Sequence, residues 1–145
     1  VRAAYGSKNL NVEYIDPTNC VQKFDVIFSS HVIEHMHNPS IIRKHCDFLL
    51  RNGGYLILTC PNGSLSGILG DGQQWRRHWG KVHPNMISDL YLVQLFKGYG
   101  GKISNEQLTE QGFSLLLEGC LDEVYSMLPT SNNLVAVCQK KTLVE

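Results

Sequence analysis

Three of the chain's six histidines and one glutamate fall within the run His31-Val32-Ile33-Glu34-His35-Met36-His37. Imidazole titrates near neutral pH and also ligates transition metals, so proton transfer and metal binding are both open to this run. The spacing His31–x–x–Glu34–His35 is that of an H-x-x-E-H zinc motif. Such a motif works when both histidines stand one turn apart on a stable helix and a third ligand joins them. Pro39 and the restriction it places on Asn38 stop a helix within about two turns of such a start. No third ligand stands out, so no metal site is expected. Proton transfer is the better use of the cluster, with His31, next to a strand end, as the leading base. Glu34 and His35 are read first as braces of the turn, and His37 as an exposed residue.

A second group of chemistry-bearing residues lies in 62–85, which contains both tryptophans, His78, His83, Arg76-Arg77 and five glycines. A connection of this length in a compact chain is commonly functional or mobile. Aromatic and imidazole side chains in one loop suit a ligand pocket or a lid. His83 is therefore a second candidate base, and His35, His78 and Trp79 are candidates for contacts with a substrate. Arg76-Arg77 reads as a solvated pair, and His45 as a partly exposed helical residue.

The elements that would position these groups follow from apolar patterning. "NVEYID" (11–16) reads as a strand stopped at Asp16-Pro17. "FDVIFSS" (24–30) has the dense apolar character of a strand covered on both faces. Asn38 as N-cap and Pro39 at the first helical position open a helix with Ile41, Ile42, Cys46, Phe48 and Leu49 on one face. Arg51-Asn52-Gly53-Gly54 ends it, and "YLILTCP" (55–61) is a second buried strand. Strand, helix, strand with short connections predicts a right-handed βαβ unit. Residues 86–100 return to helical spacing through Ile87, Leu90, Tyr91, Val93, Leu95 and Phe96. Ser104 with Gln107 fits a capping box for a short helix to Gly112. "FSLLLEG" (113–119) fits strand or helix. "LVAVCQKK" (134–141) reads as a terminal strand, antiparallel because a hairpin-like turn at 129–133 precedes it.

The composition supports one domain over 1–145, with 43% hydrophobic and 18% charged residues. Thirteen basic residues balance thirteen acidic ones, which gives no broad field to attract nucleic acid or an anionic membrane. The five cysteines are scattered without C-x-x-C spacing, so reduced thiols and a cytoplasmic location are expected. No apolar run approaches the ~18 residues of a membrane span, and no signal peptide is evident. The chain opens without methionine at Val1-Arg2-Ala3-Ala4, which reads as the tail of a helix and as a truncated start.

The stretch from Phe24 to Asn62 resembles the second half of the class I S-adenosylmethionine-dependent methyltransferases. Five anchors occur in order: Phe24-Asp25-Val26-Ile27, Val32-Ile33-Glu34-His35, Asn38-Pro39, Gly53-Gly54 and Pro61-Asn62. "VIEHMHNP" is similar to the branch that includes ubiquinone-type O-methyltransferases and many small-molecule methyltransferases. The resemblance continues more loosely through His83-Pro84 and the helix after it. It implies a partial Rossmann-like α/β sheet, mostly parallel with an antiparallel C-terminal strand, and S-adenosylmethionine as cofactor. It also implies methyl transfer to an oxygen or nitrogen of a small molecule. Ligands of open α/β sheets bind beyond the carboxyl ends of the strands. The resemblance places Asp16 near the adenine amino group, and Ser30, His31 and Val32 along the methionine portion.

The departures from that family carry their own expectation. The glycine-rich G-x-G-x-G turn and the acidic residue of the family's second strand are absent from the chain, and the family's first two strands would be missing. In the family order 3-2-1-4-5-7-6, strands three and four would then stand about 14 Å apart. This chain alone is accordingly expected to bind S-adenosylmethionine weakly or not at all. A truncated or degenerate module with a binding role is the rival reading, and an H-x-x-E-H zinc peptidase a distant third.

Overall fold

The computed structural model describes residue 16 and residues 18–72, 74–104, 124–126 and 132–142. Among the described residues, five strands form one sheet: β1 (Phe24–Ser30), β2 (Leu50–Pro61), β3 (Tyr99–Ser104), β4 (Val124–Ser126) and β5 (Asn133–Lys140). Their spatial order is β1-β2-β5-β3-β4. β1 runs parallel to β2, and β3 parallel to β4, while β5 is antiparallel to both β2 and β3. The sheet is thus parallel but for β5, as expected. The expected hairpin is not the reason: β5 does not fold back on β4 but inserts between β2 and β3. The turn residues 129–131 lie outside the described residues, as do 1–15 and 105–123, with the expected first strand and the stretches after Ser104.

The expected βαβ unit is present, but β1 is not covered on both faces: it is the outermost strand of the described sheet, and Val26 and Phe28 are exposed. Regular β1–β2 pairing runs from Val26↔Tyr55 to Ser30↔Thr59, and a register shift separates it from Phe24↔Leu50. The shift accommodates Arg51–Gly54. Gly53 has φ +79, and a Cβ on Gly54 would stand 3.0–3.2 Å from the carbonyl oxygens of Arg51, Asp25 and Phe24. Glycine is required here for conformation at one position and for close approach at the next.

Helix α1 (Ile41–Leu49) begins two residues later than expected. Asn38 still organises its start, because its Oδ1 accepts hydrogen bonds from Ser40 N at 3.1 Å and Ser40 Oγ at 2.6 Å. Ile42 and Cys46 are buried, but Phe48 is exposed, so it is not part of the apolar face. The Lys23 ammonium stands 4.2 Å over its ring instead. Helix α3 (Asp89–Leu95) is capped by Ser88, whose hydroxyl accepts from Tyr91 N at 3.1 Å. It is shorter than the expected 86–100, and Leu90 faces solvent. The residues from Tyr99 onward are the strand β3, and Ser104 is its last residue.

Arg43 joins the two helices. Its Nη1 donates to the Leu95 and Lys97 carbonyls, each at 2.9 Å, its Nε pairs with Asp47 at 2.9 Å, and its guanidinium lies 4.6 Å from the Tyr99 ring centre. The Tyr99 hydroxyl donates to Asp47 Oδ1 at 2.9 Å, and burial together with that bond pushes the phenol above its ordinary range. The main core lies on this face of the sheet, where Leu56, Leu58 and Cys60 of β2 meet Ile42, Cys46, Leu92 and Phe96. Ile57, Val135 and Val137 form a smaller cluster, as the period-two alternation of strands requires.

Candidate active site at the carboxyl end of β1

β1 ends at Ser30, and the chain turns abruptly. His31 adopts φ +52 and is the one non-glycine residue with positive φ among those described. Its amide still donates to Thr59 O at 2.9 Å, so the ladder with β2 fixes where the turn starts. A short 3-10 helix, Ile33–His35, follows, with Ile33 and Glu34 buried. His31 and His35 are therefore not one turn apart on an α-helix, and the support that an H-x-x-E-H peptidase motif needs is absent at this turn.

Glu34 stands at the centre of the site. It is 0% exposed, and neither carboxylate oxygen has a hydrogen-bond partner. His31 Nδ1 is 3.3 Å from Glu34 Oε1, and His35 Nε2 is 3.8 Å from the same atom. Both imidazoles are half exposed, with 51% and 43% of their side chains accessible. A buried carboxylate without hydrogen bonds is costly, and cationic partners offset that cost. The carboxylate of Glu34, expected as a brace of the turn, faces the two imidazoles of that turn.

The stretch 62–85 closes over this turn. It is not a plain loop: it holds helix α2 (Leu65–Asp71) and a 3-10 helix, Trp75–His78. Gly63 N donates to Ile87 O at 2.8 Å, which ties its ends together. Trp75 Nε1 donates to Asn62 O at 2.8 Å. Asn62 is itself buried and accepts from Ser64 N at 3.0 Å. The His83 ring centre lies 4.8 Å from that of His35 and 6.1 Å from that of Trp79, and Trp79 lies 5.7 Å from Trp75. The geometry thus brings together His31, Glu34, His35, Trp79 and His83. The side chain of His78 lies outside the described residues.

Of the residues assigned to a cofactor, Ser30 and Val32 line a cavity of about 390 Å³ between β1 and α1, together with Ile27, Phe28, Met36 and His45. Ser30 Oγ accepts from Thr59 Oγ1 at 2.9 Å. Asp16 accepts from Thr18 N at 2.9 Å, Thr18 Oγ1 at 2.7 Å and Asn19 Nδ2 at 3.0 Å. The Thr18 hydroxyl and amide hold its carboxyl below the usual carboxylate range.

Asn62 and Asn85 organise the site, yet neither carries a signal of chemistry in the sequence, where Asn62 reads only as the end of a Pro-Asn pair. Asn85 follows His83-Pro84, and its side chain binds the backbone of the 31–36 turn.

The described residues thus define an open, mostly parallel α/β sheet whose polar groups collect beyond the carboxyl end of one strand, the place where such sheets bind ligands. A methyltransferase-domain family matches residues 4–104, more than half of the chain. The chain belongs to that family. The match identifies the family and no branch within it. No curated protein matches the chain. Among the described residues, no helix is long and apolar enough to cross a membrane.

Proposed function

We propose that this chain is the C-terminal part of a class I domain that transfers a methyl group from S-adenosylmethionine to an oxygen or nitrogen of a small molecule, as in the small-molecule branch. The observation that carries this reading is the pairing of His31 with buried Glu34 at a strand end in a methyltransferase-family chain. S-adenosylmethionine, when bound, supplies an electrophilic methyl on a sulfonium. The enzyme's work in such a displacement is alignment, with a base where the acceptor must lose a proton.

The residues present fit one end of such a cofactor. Ser30 and Val32 stand on a cavity wall of suitable size, with His31 between them in the chain. The carboxylate of Glu34 beside Nδ1 favours the tautomer that leaves Nε2 of His31 as acceptor for a proton. His83 is the second candidate base. His35 and Trp79 stand beside His83, outside the lining of that cavity, and His78 is assigned to the acceptor from sequence.

The test is transfer of labelled methyl from S-adenosylmethionine to a panel of hydroxyl- and amine-bearing small molecules, using the polypeptide that also carries the glycine-rich motif. His31→Ala should lower kcat about 10²- to 10⁴-fold with the cofactor KM little changed. Absence of transfer to every acceptor class would sink the proposal, and full activity of His31→Ala would remove its base.

A further inference from the structure

We propose that Glu34, His35 and His83 form a binding site for a divalent transition-metal ion of the zinc type. One ligand atom of each residue lies within 4.8 Å of those of the other two. Two imidazoles and one carboxylate are the donor set of many three-ligand zinc centres, and they also suit cobalt and ferrous iron.

The second observation is the state of Glu34. Its side chain is fully buried, both oxygens lack hydrogen bonds, and it is aimed at the two imidazoles. A group in that state needs a counter-charge, and a cation held jointly by the three side chains provides one. The backbone that carries this side chain is held in place, because the Glu34 carbonyl accepts from both the amide and the side chain of Asn85, at 3.2 and 3.1 Å. His83 lies two residues before Asn85 in the chain, and its ring centre is 4.8 Å from that of His35.

The geometry is close to what a metal requires. Tetrahedral ligation at bond lengths near 2.1 Å sets ligand atoms about 3.4 Å apart. His35 Nε2 and Glu34 Oε1 are 3.8 Å apart. The widest separation of 4.8 Å closes by small rotations of the two histidine rings, neither of which is buried. The rings are tilted by 58° and not stacked, so nitrogens of both can face one point. His31 Nδ1 stands 3.3 Å from Glu34 Oε1, outside the three ligands.

Three protein ligands leave a position for water or for an acceptor heteroatom. With the metal bound, His83 is a ligand and the base role falls to His31 alone. Metal binding itself does not depend on methyl transfer, so it can be measured without cofactor or acceptor.

The experiment uses the full chain without a histidine tag, stripped with chelator and titrated with Co²⁺ by visible absorption, then with Zn²⁺ in competition. The expected result is one equivalent bound at about micromolar affinity or tighter, with the intense d–d bands of a four- or five-coordinate ion. His35→Ala, His83→Ala and Glu34→Gln should each weaken binding at least tenfold. His37→Ala, outside the cluster, should leave it unchanged. Should Glu34→Gln fail to fold, the two histidine variants and the spectrum of the parent chain decide the matter. Binding weaker than about 1 mM, a weak octahedral spectrum, or unchanged affinity in both histidine variants would overturn the proposal.

Discussion

The Asn85 side-chain amide bridges two carbonyl oxygens of the histidine turn, donating to Glu34 O at 3.1 Å and to Met36 O at 2.7 Å. This bridge holds the 62–85 segment to the carboxyl end of β1. Asn85→Asp replaces the donor with an acceptor facing two carbonyls, whereas Asn85→Ala only deletes it. Loss of such a part-buried bridge costs about 1–3 kcal/mol, and the aspartate should be the worse of the two. Urea denaturation of both variants checks the order. Equal stability of Asn85→Asp and the parent would show that the bridge does not hold the segment.

Gly101 stands in β3 where β5 crosses it most closely. Its φ is +148, and a Cβ there would overlap the Val137 carbonyl and stand 2.8 Å from Cys138 Cα. Backbone cannot yield as a side chain can, so Gly101→Ala should cost roughly 3 kcal/mol or more. Gly98 provides the comparison, with φ +88 and open space around it. Gly98→Ala carries only the conformational penalty, about 1–2 kcal/mol. Denaturation midpoints of the pair separate the two causes, and equal losses would contradict the steric account.

The elements readable from sequence are those whose identity rests on local pattern. β1 and the regular part of β2 are apolar runs bounded by turn residues, and β5 is another. α1 announces itself through Asn38-Pro39. β3 was not legible: helical spacing through Phe96 runs into Tyr99-Gly100-Gly101, and glycines argue against a strand until the Val137 carbonyl that requires Gly101 is known. α2 was hidden for a related reason, since Gly67 and Gly70 within Leu65–Asp71 lower its helical signal. In the site, the chemistry of His31 and His83 could be named from residue type. The place of His83 beside Glu34 and His35 could not, because it depends on the 62–85 segment reaching back across the fold to the turn that Asn85 binds, and no spacing encodes that contact.

Two buried thiols set an alkaline limit on stability. Burial and the neighbouring Asp47 charge push Cys46 from 9.0 up to about 12, and burial with the Glu34 charge pushes Cys60 in the same direction. The folded state favours the protonated thiol, so this stabilisation is complete below the pKa of the unfolded thiol. It is lost as the pH rises from about 9 towards 12, at up to about 1.4 kcal/mol per pH unit for each thiol. Cys46→Ala should be less stable than the parent at pH 7 by about 1 kcal/mol through lost packing, yet its stability should fall less steeply above pH 9. Urea unfolding across that range gives both slopes, and parallel slopes would mean that Cys46 does not titrate on unfolding.

His31 combines strain with chemistry, and the two can be separated. Its φ of +52 is a conformation that glycine adopts freely and that costs other residues about 1–2 kcal/mol. A residue held there by the Thr59 hydrogen bond places its imidazole against Glu34, so the strain serves the site's geometry. His31→Gly and His31→Ala both remove the imidazole, but only glycine relieves the backbone. Glycine also gains conformational entropy on unfolding, which returns roughly 0.5–1 kcal/mol of that relief. His31→Gly should therefore exceed His31→Ala in stability by up to about 1 kcal/mol, while both lose activity alike in the methyl-transfer assay. If alanine is the more stable, the backbone at the end of β1 is not strained in solution. If glycine retains activity that alanine lacks, the turn's conformation matters to catalysis more than the imidazole does.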